Sequence, residues 1–164
     1  MNNELYLKTA FCCMACDGDI DDKEVQLVKD YVKNSSLFDN LEVEKLMNEY
    51  IASINSIGVT FLKSYLKELR EEEMTTEQEI QIMKIAIEMI EIDEEVRYSE
   101  VKFFKQIYAC LNVADEVIEK EFPDKEDYFL PDIVQQEYEF IMDSEFSAIS
   151  FDFPNANCDL QIEK

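Results

Sequence analysis

Two pairs of carboxylates, repeated along the chain, carry the pattern most suggestive of chemistry. Asp17 and Glu24 lie in MACDGDIDDKEVQLVKDYV, and Asp93 and Glu100 lie in IEIDEEVRYSEVKFFKQIY, at an offset of 93 − 17 = 76. An Asp closing one helix and a Glu seven residues later, in the first turn of the next, can face one another across a tight turn. Two such pairs brought together offer four carboxylates, and carboxylate oxygens are the ligands that Ca²⁺, Mg²⁺ and Mn²⁺ prefer. Four partly buried carboxylates also repel one another, and a cation relieves that repulsion. A plainer explanation competes. Asp21 can cap the backbone N–H of Glu24 in a D-x-x-E box, and acids favour helix starts through the dipole. The residues alone leave both explanations open.

Other chemistries fit less well. Asp17, Asp19 and Asp21 occupy the first, third and fifth positions of an EF-hand loop, but Asp22 stands where that loop needs Gly and Val28 where it needs a bidentate Glu. Cys13 and Cys16 form a CxxC at the end of an apolar helix, with no second CxxC to complete a zinc site, so they read as buried small hydrophobes. The chain contains no His, which removes Ser/His and Cys/His nucleophile pairs, His-ligated zinc and His-ligated haem. Its only glycines, Gly18 and Gly58, rule out a Walker loop or a Rossmann fingerprint, so no nucleotide is expected. A carboxylate-bound metal hydrolase lacks a candidate base and a substrate clamp, and Arg70 and Arg97 are the only arginines available for a phosphate. The expectation is a protein that is not an enzyme.

Helical period supplies the elements that position these acids. An almost wholly apolar helix over about residues 2–16 leads through DGDIDD into a second over 21–34, with the stripe Val25, Leu27, Val28, Tyr31 and Val32. Further helices are expected over 40–54 and 57–70. Thr76 with Glu79 has capping-box spacing and opens a fifth helix, Ser99 a sixth, and 114–121 form a short seventh. Ala10 matches Ala86 across the same offset, Ile20 matches Val96, and Leu27, Val28 and Tyr31 match Phe103, Phe104 and Ile107. Each copy is an apolar helix, an acidic turn and a second helix entered through an acid, which predicts two similar hairpins about a pseudo-two-fold axis.

The stretch ACDGDIDDKEV resembles the signature of the TerB-like family of tellurite-resistance proteins, in which an A-x-D-G-x-I-x-x-x-E turn joins two helices and recurs in the second half. The resemblance covers residues 4–121. It implies an all-α bundle of about seven helices, with acidic turns on one face that bind a divalent cation through Asp17, Glu24, Asp93 and Glu100. It also implies a stress-response setting, tellurite or envelope stress or phage defence, reached through a protein partner such as a membrane-associated complex or a larger multidomain protein. The second copy departs from the pattern at Glu91, Glu94 and Arg97.

Composition bounds the rest. Lys and Arg number 15 against 38 Asp and Glu, a net charge of −23, which repels phosphate backbones and anionic lipid and argues against nucleic acid. With 47% hydrophobic residues the chain is too apolar for polyanionic disorder, and no run approaches the ~20 apolar residues of a membrane span. The amino terminus lacks a basic leader, and five cysteines at irregular spacing do not form a secreted disulfide framework, so a cytoplasmic protein is expected. Pro123, Pro131 and Pro154 mark a change in composition, dividing a helical domain at 1–122 from an acidic C-terminal extension at 123–164. Within the extension, 132–142 has amphipathic period and 149–153 alternates like a strand. The alternative function is a metal-free acidic structural or adaptor protein that binds a basic partner.

Overall fold

A computed structural model describes residues 3–16, 18, 20, 22–92, 96 and 98–129. Among them every regular element is helical: α1 (Glu4–Ala15), α2 (Asp22–Asn34), α3 (Val43–Ile57), α4 (Val59–Glu71), α5 (Thr76–Glu91), α6 (Tyr98–Ala109), α7 (Asp115–Glu121) and α8 (Glu126–Phe129). The 132–142 helix and the 149–153 strand expected from the sequence lie outside the described residues, as do Asp17, Asp19, Asp21 and Asp93.

The α1 helix is the centre because it has almost no polar face. All its residues except Glu4 and Lys8 are buried, and it packs chiefly on α5, then on α4, α3 and α6. Its buried threonine is satisfied locally, as a Thr placed inside a helix often is: Thr9 Oγ1 donates to the Leu5 carbonyl at 2.8 Å and meets the Tyr65 hydroxyl at 2.6 Å. Lys8 escapes the core by pairing with Glu68 at 2.8 Å while its ammonium sits 5.7 Å from the Tyr50 ring centre. Phe11, Tyr50 and Phe61 pack ring against ring at 5.4–5.9 Å and tie α1 to α3 and α4.

The two hairpins share their spacing. Helix α1 ends at Ala15 and α2 begins at Asp22, while α5 ends at Glu91 and α6 begins at Tyr98, so each start and end keeps the offset found in the sequence. Several boundaries differ from the sequence expectation for identifiable reasons. The capping box of α5 is Thr75 with Gln78, one residue earlier than Thr76 with Glu79: the Thr75 hydroxyl accepts from the Gln78 N–H, and the Gln78 side chain accepts from the Thr75 N–H. Glu79 is freed for another task, accepting the Asn112 N–H at 2.9 Å in front of α7. Gly58 separates α3 from α4 at φ 59°, ψ −134°, a conformation closed to side chains with a Cβ, and so it ends one helix instead of sitting inside the next. Val32 belongs to no core stripe and stands exposed.

The chain continues to pack beyond Pro123. Phe129 of α8 meets Tyr108 edge-on at 5.0 Å and Phe104 at 5.3 Å, and Lys125 reaches back to Glu91 at 2.6 Å.

Candidate functional site

The repeated acids fall at helix starts because a carboxylate near exposed N–H groups is favoured there. Glu24 sits in the first turn of α2 and Glu100 in the first turn of α6. Unlike most first-turn acids, both are buried, at 6% and 5% exposure. Each lies one residue before a hydrophobic partner, Val25 or Val101, and four before Val28 or Phe104, so the helical phase that buries the stripe turns the carboxylate inward too.

Both carboxylates act on one buried thiol. Burial pushes the Cys13 thiol well above its ordinary value, and the negative charges of Glu100 and then Glu24 push it further. Residues separated by 76 positions therefore lie in the electrostatic neighbourhood of the same atom near the end of α1. Glu100 also acts on Tyr128, whose hydroxyl donates to Glu91 at 3.1 Å. The Glu91 departure from the repeat thereby has a structural use: it holds Lys125 and Tyr128, and so fastens α8.

Buried cations share these helices. Lys29 on α2 and Lys102 on α6 are 7% and 3% exposed, and the Lys102 ammonium lies 4.4 Å from the centre of the Tyr98 ring. Helical period does not announce that these two lysines lie inside, because a lysine's stem can run along the core or into water.

Of the four acids expected to hold a cation, Glu24 and Glu100 are buried and both act on Cys13, while Asp17 and Asp93 lie outside the described residues. Among the described residues no group of three or more Cys, Asp or Glu side chains is arranged to hold a metal. Cys12, Cys13 and Cys16 are buried free thiols, and Cys16 Sγ is turned to the Cys13 carbonyl at 3.4 Å. With Cys12 and Cys13 held protonated by burial, neither is a thiolate ligand or nucleophile near neutral pH. Val28, at the twelfth position of the EF-hand register, is fully buried among apolar groups.

Compared with protein-family models, curated proteins and solved structures, the chain matches none. No helix among the described residues is long and apolar enough to cross a membrane.

Proposed function

We propose that the chain is a TerB-like, non-enzymatic module that holds a divalent cation, Ca²⁺, Mg²⁺ or Mn²⁺, beside its acidic inter-helix turns and acts in a stress response through a protein partner. The observation that carries this reading is the burial of Glu24 and Glu100 around the same end of α1. Two carboxylates removed from water near one another repel, and their hard oxygen donors suit these ions. Asp17 and Asp93, which belong to the same turns, would complete the donor set, and the protonated Cys13 thiol would stay out of it. Such an ion would link the entry of α2 to the entry of α6 and make the packing of both hairpins depend on its concentration.

Calorimetric titration of the metal-stripped chain tests this. The reading expects saturable heat for at least one of the three ions, lost in the Glu24→Gln/Glu100→Gln variant. Absence of heat at millimolar metal for all three removes the cation.

One observation favours a second reading, a metal-free acidic adaptor. Lys29 and Lys102 are buried on the same two helices and can neutralise the carboxylates from within. That reading expects no metal response and a partner affinity that falls steeply with salt.

A further inference from the structure

We propose that the groove between the end of α6, α7 and α8 docks a segment of a partner protein that presents an apolar anchor flanked by lysines or arginines. The proposal rests on the reading above only in its protein partner, and not on the cation. The groove measures about 520 Å³, and its floor is formed by Tyr108, Ile118, Phe122 and Phe129. Phe129 meets Tyr108 at 85° and 5.0 Å and Phe122 at 5.5 Å, and Lys125 pins α8 to Glu91, so the aromatic wall is fixed before any partner arrives.

The rim has a single sign. Asp115, Glu119 and Glu126 line the groove, all three are exposed, and none forms an ion pair among the described residues. The two lysines nearest in sequence do not line the groove: Lys125 holds Glu91, and Lys120, in the last turn of α7, lies outside the lining. The Tyr108 phenol is pushed up first by burial and then by the charge of Asp115, which lines the same groove. An apolar floor inside an uncompensated acidic rim is complementary to an apolar anchor inside basic flanks.

The same charges disfavour other occupants. Residues 130–164 carry eight acids against one lysine, and a second copy brings another net charge of −23. A larger groove, about 650 Å³ between α2 and α3, has Lys33 and Lys45 interspersed with Asp39, Glu42 and Glu44, so it selects no sign of partner.

The experiment is fluorescence anisotropy on the full chain with a labelled synthetic peptide bearing one Phe anchor between two Lys pairs. Its controls are a peptide with the Phe replaced by Ser and one with the lysines replaced by Glu. The expected result is saturable binding of the first peptide alone, weakened about ten-fold by Asp115→Asn/Glu119→Gln/Glu126→Gln. The exposed triple Glu71→Gln/Glu73→Gln/Glu77→Gln, which removes the same charge elsewhere, leaves the affinity unchanged. Equal weakening by both triples reduces the effect to net charge and overturns the groove while leaving an acidic adaptor. No saturable binding of any peptide overturns the groove, whereas the calorimetric metal titration judges the cation separately. Displacement of the probe by a synthetic 130–145 peptide would assign the groove to the chain's own segment. Self-association abolished by the groove triple would assign it to a second copy.

Discussion

Burial gives individual side chains roles that their chemistry alone does not announce. Glu79 looks like a capping acid, yet it is 5% exposed and both its carboxylate oxygens accept the Asn112 N–H, at 2.9 and 3.2 Å. A hydrogen bond to a charged group contributes about 1.5–3 kcal/mol, so Glu79→Ala is expected to lose that much in denaturant unfolding, while exposed Glu77→Ala stays within about 0.5 kcal/mol. Equal effects would contradict the assignment. Cys12, Cys13 and Tyr65 hold their protons above the ordinary values of 9.0 for a thiol and 10.0 for a phenol, first because of burial. The unfolded chain releases these protons near the ordinary values, and the folded chain does so only at higher pH. Their contribution is therefore complete below the ordinary values and is lost as pH rises from there towards the folded ones. Thermal melts from about pH 8 to about pH 11 should show Tm falling, with a shallower fall in Tyr65→Phe; identical slopes would count against the phenol's part.

Among the elements, α1 and the paired hairpins were the most legible from sequence, because an apolar run without a polar face admits few positions other than the centre of a bundle. The starts of α2 and α6 were legible for a related reason: the 76-residue offset aligns their stripes, and the structure starts each helix at the same offset. What escaped was decided by tertiary contact. Choosing Thr75 over Thr76 as the cap turns on which rotation buries Glu79 and Ile82, and a four-residue α8 has too little period to be read without Phe104 and Tyr108 to pack on. Gly58 was legible as a glycine but not as a boundary, since the apolar pattern runs on through Ile57 and Val59. At φ 59° and ψ −134° a Cβ is strained, so Gly58→Ala should cost about 1–3 kcal/mol and lower Tm, with no loss of helical circular dichroism at low temperature. A melt unchanged by the substitution would show that the α3–α4 junction relaxes freely.

On the scale of the whole molecule, a central helix orders a bundle whose charge is strongly one-sided. A net charge of −23 spreads repulsion over the surface, and the buried acids Glu24 and Glu100 add a local share beside Cys13. The burial of Glu24 and Glu100 was legible in spacing and helical phase, since both share the phase of their apolar stripes. The buried Lys29 and Lys102 were not, because a lysine's position in a sequence does not say whether its long stem lies along the core or in water. The thermal melt of the metal-stripped chain, with and without millimolar Ca²⁺, Mg²⁺ or Mn²⁺, tests the central claim most directly when run beside Asp17→Asn/Asp93→Asn. A ligand at 100 times its Kd stabilises a fold by about 2.7 kcal/mol, or about 5–10 °C for a chain of this size. The account predicts a shift of that order for at least one ion in the parent and its loss in the variant. No shift for any ion, or the same shift in both chains, would contradict it.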